Sequence, residues 1–218
     1  MQDEPNLADA IARRRWAALS GHLGDEAAAR RAQHDEDGGV RATALGALAR
    51  LGVLCPADVI AALADESPVV RRRAIEGAVA CRLDATSEAI RQALGEAEAS
   101  VVEVAAWALG ELGPPAAATV EALASTAGHH RDPLCREAAV AALGALGDPA
   151  GLAAILAATH DKPAIRRRAV LALAPFDGPE VEAALAAALH DRDWQVRQAA
   201  EDLGAAGAAG GDVPPEHQ

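Results

Sequence analysis

Two clusters of arginine carry the strongest local charge pattern in the sequence. The stretch VVRRRAIEGAV supplies Arg72 and Arg73, and AIRRRAVLALA supplies Arg167 and Arg168. A guanidinium group pairs with a carboxylate or a phosphate through parallel hydrogen bonds. We therefore expect these four side chains to bind a partner that carries negative charge, such as an acidic peptide or a phosphate group. The alternative is that the arginines only keep an alanine-rich helix soluble.

One aromatic residue could anchor such a partner. Trp107 is followed one helical turn later by Glu111, and large aromatic side chains are frequent hot spots of binding surfaces. The alternative is that Trp107 packs between neighbouring helices. We expect Trp16 to cover the exposed end of the core and Trp194 to pack locally in a turn.

The histidines recur at a spacing that raises the question of a metal site. Equivalent residues of stacked helices lie about 8–10 Å apart, whereas each ligand of a zinc ion lies about 2 Å from it. The sequence therefore predicts no metal site, and it predicts histidines that interact with the ends of helices. The residues concerned are His34, His130, His160 and His190.

Sequence motifs for catalysis are lacking. The chain has no glycine-rich phosphate loop, no GxSxG and no HExxH, which are signatures of several enzyme classes. Cys55, Cys81 and Cys135 form no CxxC pair, so we expect reduced, buried thiols. These features predict a protein without a cofactor.

The elements that position these residues follow from an internal repeat. Segments such as VRATALGALARLG, VVEVAAWALGELG and CREAAVAALGALG recur about every 30 residues. Their apolar residues fall on one face of a helix, which we call the B helix, and Gly52, Gly113 and Gly147 are expected to end it. A shorter, alanine-rich A helix precedes each B helix. The first residues of the repeated segments, which we call anchors, are Val40, Val70, Val101, Cys135, Ile165 and Val196, with Ile11 beginning a terminal half-repeat.

The pattern of an acidic turn, Val-Arg, an alanine-rich helix and Leu-Gly resembles HEAT-like repeats, in particular the short repeats of the phycobilisome-lyase type. The resemblance implies an all-α, right-handed α-solenoid of about six helical hairpins with an N-terminal capping helix, over residues 1–207, and a flexible tail over residues 208–218. It also implies a structural ladder between repeats, built from the arginine beside each anchor and an acid of a turn. The predicted ladder residues are Arg41, Arg71, Arg136, Arg166 and Arg197, with Asp37, Asp65, Asp132, Asp161 and Asp193.

In such a solenoid the B helices line the concave surface. The exposed stripe just past each anchor is expected to present Arg13, Arg72, Arg167 and Arg197, followed by Arg14, Arg73 and Arg168. Small residues further along the B helices are expected to form a shallow floor that a ligand approaches closely. They are Ser20, Ala49, Gly110, Gly144, Ala174 and Gly204.

The function predicted from these features is a non-catalytic scaffold or adaptor that binds a protein or peptide, acidic in character, on the B-helix face. The predicted contact residues are Trp107, Glu111 and the four arginines. A second reading is a phycobilisome-lyase-like accessory enzyme or chaperone. A minor reading rests on the resemblance of Trp107 and Glu111 to the groove of HEAT-like DNA glycosylases, which the net charge of −12 disfavours. Without an apolar segment long enough to span a membrane, we expect a cytoplasmic monomer.

Overall fold

The protein consists of helical hairpins in the part of the chain that the structure describes. This computed structural model describes the backbone of residues 9–210 and the side chains of residues 9–205. It contains 13 α-helices and no β-strand in that range. The predicted all-α fold, with six hairpins after an N-terminal helix, is confirmed.

The B helices are the longer members of the hairpins. They are α1 (Ala10–Leu23), α3 (Gly38–Leu51), α5 (Pro68–Ala80), α7 (Ala99–Glu111), α9 (Pro133–Leu146), α11 (Pro163–Ala172) and α13 (Trp194–Gly210).

The A helices are shorter, and two of them are flanked by 3₁₀ turns: Asp84–Thr86 and Ala93–Gly95 around one, and Pro149–Gly151 before the other. They are α2 (Glu26–Ala32), α4 (Pro56–Leu63), α6 (Ser87–Gln92), α8 (Ala117–His129), α10 (Leu152–Ala158) and α12 (Pro179–Ala188).

The chain divides into two compact units, one ending at Pro114 and the other beginning at Pro115. In the first unit the B helices α1, α3, α5 and α7 pack side by side in chain order. In the second, α9 packs on α11 and α11 on α13. The extent of the predicted domain, residues 1–207, stays a prediction. The last helix continues to Gly210, and residues 211–218 of the predicted tail lie outside the described residues.

The core is built from the same positions in each repeat. The side chains four residues after the anchors are all alanine, which lets neighbouring helices approach closely, and those eight residues after are mostly leucine. Burying each such leucine stabilises the fold by about 1.5–3 kcal/mol, and each alanine methyl group by about 0.8 kcal/mol. The six predicted anchors are at most 2% exposed: Val40, Val70, Val101, Cys135, Ile165 and Val196.

Local sequence signals explain where some of the B helices end, but not all of them. Gly52 and Gly147 adopt the left-handed conformation just past α3 and α9, which glycine reaches without the steric cost of a Cβ atom. Gly113 was expected to act in the same way, and this was wrong. The helix α7 already ends at Glu111, and Leu112 leaves it in an extended conformation. Past α5, the non-glycine residue Arg82 takes positive φ.

The register of the first repeat differs from the prediction by one residue. The helix α1 ends at Leu23, and the residue after it, Gly24, has a φ of 80°. Twelve residues before Gly24 lies Ala12 rather than Ile11. Ile11 is 67% exposed, unlike the other anchors. The arginine beside the true anchor is therefore Arg13.

Candidate functional site

The first arginine after each anchor joins two successive turns. Arg41 donates from Nε and Nη2 to the Asp65 carboxylate at 2.8 and 2.7 Å. Its Nη1 donates to the carbonyl oxygens of Asp35 and Glu36, at 2.8 and 2.9 Å, in the turn before its own helix. One guanidinium group therefore connects the turns of neighbouring repeats.

The same arrangement recurs along the described chain, so the predicted ladder is present. Its ion pairs are Arg13–Asp35, Arg41–Asp65, Arg71–Glu96, Arg136–Asp161 and Arg166–Asp191. Arg197 contributes through a bond from Nη1 to the Asp191 carbonyl oxygen at 2.7 Å.

Several residues were assigned to the wrong place in this ladder. Arg13 was expected only in the exposed stripe and belongs to the ladder. Arg197 was expected in both places, and the structure places it in the ladder. Asp37, Asp132 and Asp193 accept bonds from backbone N–H groups at the beginnings of helices rather than from ladder arginines. The partner of Arg71 is Glu96, which lies in the following turn.

The ladder holds its carboxylates in the charged state. Hydrogen bonds from Arg41, Arg136 and Arg166 lower the pKa of Asp65, Asp161 and Asp191 respectively, and outweigh the opposing effect of burial. At Asp35 burial acts most strongly and raises the pKa, yet Arg13 and the Asp37 backbone N–H bring it below its usual range. These groups are structural, because their donors and acceptors are used within the fold.

The second and third arginines of α5 meet different surroundings. The side chains of Arg72 and Arg73 are 46% and 49% exposed. Arg73 donates from Nη1 to Glu76 Oε2 at 2.9 Å, and Arg72 Nη2 lies 4.0 Å from Glu76 Oε1. Both are ion pairs within one helix, so the arginines keep donors directed at solvent.

A cavity of about 570 Å³ lies on the B-helix face of α1, α3 and α5. Small residues such as Gly46 form much of its lining, and the charged and polar side chains in it are His22, Thr43, Arg50, Arg73 and Glu76. Arg50 Nη1 lies 2.8 Å from His22 Nε2, so this ring nitrogen accepts the bond. We call this feature the α1–α3–α5 cavity.

His22 and Arg50 were missed by the sequence interpretation. Both lie ten residues after their anchors, Ala12 and Val40, and Glu111 lies ten residues after Val101. Comparing equivalent positions of the repeats would have found them, once the first repeat was placed in the correct register.

Trp107 lies on the same face of the next B helix. It occupies the position in α7 that Glu76 occupies in α5, six residues after the anchor, and α5 packs against α7. Trp107 is 42% exposed, so it is not packed away between helices. Glu111 is exposed, and its carbonyl oxygen accepts from Arg82 Nη1 at 3.4 Å. The first unit thus carries Trp107 and Glu111 on α7 and the Arg72–Arg73 pair on the adjacent helix α5.

The other predicted arginine pair lies in the second unit. Arg167 is exposed and borders a depression of about 240 Å³ beside Trp194, which is 64% exposed. Arg168 is directed at Glu137, with 3.6 Å between Nε and Oε1. Its Nε atom is buried and makes no hydrogen bond within residues 9–205.

Some of the small residues that were expected to form a floor pack between helices instead. A Cβ atom on Gly144 would lie 2.6 Å from the Ala172 Cα atom. Gly21 is at the equivalent position of the first repeat, and a Cβ atom on it would lie 2.9 Å from the Ala47 Cα atom. Ser20 is buried. Ser20 and Gly144 are therefore used in packing, whereas Ala174 and Gly204 are exposed and Ala49 lines the α1–α3–α5 cavity.

Within residues 9–205, no group of three or more His, Cys, Asp or Glu side chains is placed to hold a metal ion. The His130 ring Nδ1 lies 3.1 Å from the Asp132 backbone nitrogen, a local contact at the end of α8. Cys135 is buried as expected, whereas Cys55 and Cys81 are partly exposed, and burial raises the pKa of the Cys81 thiol.

Trp16 and Trp194 differ in their packing. Trp16 is half-buried and lines a small depression with Ala28 and Val40, as expected for the end of the core. Trp194, the first residue of α13, is largely exposed, so the expected local packing leaves most of its ring open. None of the helices in residues 9–210 has the length and hydropathy needed to cross a bilayer.

Comparison with known proteins agrees with the helical repeats. The sequence profile of HEAT repeats matches residues 87–164 and 120–204, which together span more than half of the chain. The chain belongs to the HEAT-repeat family. The short phycobilisome-lyase subtype stays a prediction, and no curated protein shows a significant match.

Solved structures share this fold at low sequence identity. YibA of E. coli superposes with a TM-score of 0.65 at 19% identity, covering 93% of this chain and 78% of YibA. An engineered protein superposes with a TM-score of 0.59 at 17% identity, covering 88% of this chain and 99% of the engineered protein. A designed armadillo-repeat protein in complex with the peptide (KR)4 superposes with a TM-score of 0.50 at 15% identity. The match covers 94% of this chain and 95% of the designed protein.

Proposed function

We propose that this HEAT-repeat chain is a non-catalytic interaction module, and that the B-helix face of its first unit binds a peptide segment of a partner protein. The observation that carries the proposal is that Trp107 is exposed on α7 while Arg72 and Arg73 are exposed on α5, the B helix that packs against α7. An aromatic anchor with charged neighbours is the usual composition of a binding hot spot. Arg167, with Arg168, supplies a second region of positive charge in the other unit.

Two further observations support a peptide as the partner. A designed helical-repeat protein of similar fold was solved with the peptide (KR)4 bound. On α5 the exposed Arg72 and Arg73 outnumber the single carboxylate of that helix, Glu76, so charge complementarity favours an acidic segment. The net charge of −12 makes the basic area a local feature, which favours selectivity over general attraction.

The experiment is a selection of binders from a displayed library of random peptides, followed by affinity measurements on the strongest binder. Trp107→Ala should weaken that binder by about 2 kcal/mol or more, as at interface hot spots. It should cost less stability than the roughly 3–5 kcal/mol expected for a buried Trp. Affinity and melting temperature are measured on the same sample.

The control is Ile60→Ala, since Ile60 is 50% exposed on an A helix of the same unit. Its substitution should leave the affinity unchanged. A library that yields no binder, or a binder that is equally sensitive to both substitutions, would contradict the proposal.

Replacing Arg72, Arg73, Arg167 and Arg168 should mainly slow association and flatten its dependence on salt.

A further inference from the structure

The charges around the α1–α3–α5 cavity are unequal. Arg50 and Arg73 line it beside His22, whose Nε2 accepts from Arg50, and Glu76 is the one carboxylate among its lining residues. Gly46, Ala47 and Gly77 keep the space between them open. The cavity is therefore a concave, basic depression that already contains one acidic side chain.

The two arginines of the cavity are held weakly in comparison with the ladder. Arg41 of the ladder makes four hydrogen bonds and is 13% exposed. Arg73 is 49% exposed and pairs with Glu76 three residues later in the same helix. Arg50 donates from one nitrogen to His22. Exposed pairs of this kind contribute little stability, so they exchange readily for another acceptor.

Glu76 shows which chemical group the cavity accepts. Its carboxylate lies 2.9 Å from Arg73 Nη1 and 4.0 Å from Arg72 Nη2. An external carboxylate that approached the cavity would meet the same donors, together with those of Arg50. Planar carboxylates suit guanidinium donors because both groups can form two parallel bonds.

We propose that the α1–α3–α5 cavity is a seat for a Glu or Asp side chain of the bound peptide, and that Glu76 is an internal competitor that occupies its arginines in the free protein. This inference rests on the proposed function and specifies the partner as an acidic peptide. Arg50 and Arg73 bind the incoming carboxylate. Glu76 sets the affinity by competing for Arg73.

The test compares short labelled peptides in which leucine alternates with glutamate, lysine or glutamine. Glu76→Gln should tighten binding of the glutamate peptide about two- to fivefold, because the pair that it removes is exposed and weak. It should weaken any binding of the lysine peptide. Arg50→Gln combined with Arg73→Gln should weaken the glutamate peptide about tenfold or more, since charge-assisted bonds are lost.

The helix α6 offers a matched control. Glu88 and Arg91 form an ion pair three residues apart, as Arg73 and Glu76 do, but on an A helix. Glu88→Gln changes the net charge by the same amount as Glu76→Gln and should leave the glutamate-peptide affinity unchanged. Equal effects of the two substitutions would show a general charge effect and overturn the seat.

The outcomes separate this inference from the proposed function. Binding that depends on Trp107 but is indifferent to Glu76 would overturn the seat and leave the peptide-binding face in place. A preference for the lysine peptide would overturn the acidic partner. Failure of all three peptides and of the random library would overturn both proposals.

Discussion

Arg166 and Arg167 are adjacent in α11, yet their guanidinium groups meet different surroundings. The Arg166 side chain is 8% exposed and donates to both carboxylate oxygens of Asp191, at 2.8 and 2.7 Å. A third bond, of 2.9 Å, reaches the Asp161 carbonyl oxygen. Arg167 is exposed at the rim of a depression. The first residue therefore stabilises the fold, whereas the second is available to a partner.

Replacing Arg166 by Ala should destabilise the protein by about 3 kcal/mol, because it leaves the Asp191 carboxylate without its charged partner. Replacing the neighbouring Arg167 by Ala should change the free energy of unfolding by about 0.5 kcal/mol or less. Urea unfolding at neutral pH, followed by circular dichroism, measures both. Equal values for the two variants would mean that the ladder bonds add nothing to stability.

At the scale of the helices, the B helices approach one another at positions without side chains. Gly144 of α9 faces the backbone of Ala172 in α11, and Gly21 of α1 faces Ala47 in α3. Alanine is the better helix former by up to about 1 kcal/mol. At these two sites glycine is nevertheless the more stable residue, because the neighbouring helix leaves no room for a Cβ atom.

Gly144→Ala should therefore destabilise the protein by about 1–3 kcal/mol, because the new methyl group would lie 2.6 Å from backbone and side-chain carbons that cannot move independently. Gly128 in α8 has nothing within 4 Å of a Cβ atom. Gly128→Ala should leave stability unchanged or raise it by up to about 1 kcal/mol. Thermal unfolding of the two variants gives the comparison, and a stabilised Gly144→Ala protein would contradict the close approach.

The helices themselves could be predicted from the sequence because the apolar anchors recur at nearly one period. The local details could not, since they depend on neighbouring repeats. Gly113 resembles Gly52 in sequence, but only Gly52 takes the left-handed conformation. Gly144 was predicted to be open to a ligand, because its contact with Ala172 of the next repeat cannot be seen in the sequence of its own repeat.

The same reason explains what was found and missed at the candidate site. The exposure of Trp107, Arg72 and Arg73 could be predicted because it depends only on which face of its own helix each residue occupies. The pairing of Arg50 with His22 joins two repeats, and it could be recognised only after the register of α1 was known.

At the scale of the whole molecule, the ladder repeats one interaction many times within an acidic chain. Its arginines hold aspartates at low pKa in both units, as at Asp65 and Asp161. In α7, Val102 occupies the ladder position and is buried, so an apolar side chain replaces the ion pair there. The ladder therefore links stability to pH at several separate places.

The sign of this linkage follows from the lowered pKa of the folded carboxylates. Asp has a pKa of about 3.9 in an unfolded chain, and that of Asp161 lies below its ordinary value in the folded protein because Arg136 donates to it. The unfolded state then binds more protons as the pH falls. The stabilisation is complete at neutral pH and is lost between about pH 5 and pH 2.

A difference measurement isolates this effect from changes in net charge. The gap in unfolding free energy between the wild type and Arg136→Gln should be largest near pH 7 and should shrink as the pH falls towards 3, because the variant has already lost the interaction that lowers the pKa of Asp161. The gap between the wild type and Arg167→Gln, whose side chain is exposed, should stay small throughout. Urea titrations over this pH range would provide both series. A gap for Arg136→Gln that is independent of pH would show that the carboxylate contributes through packing and not through its charge.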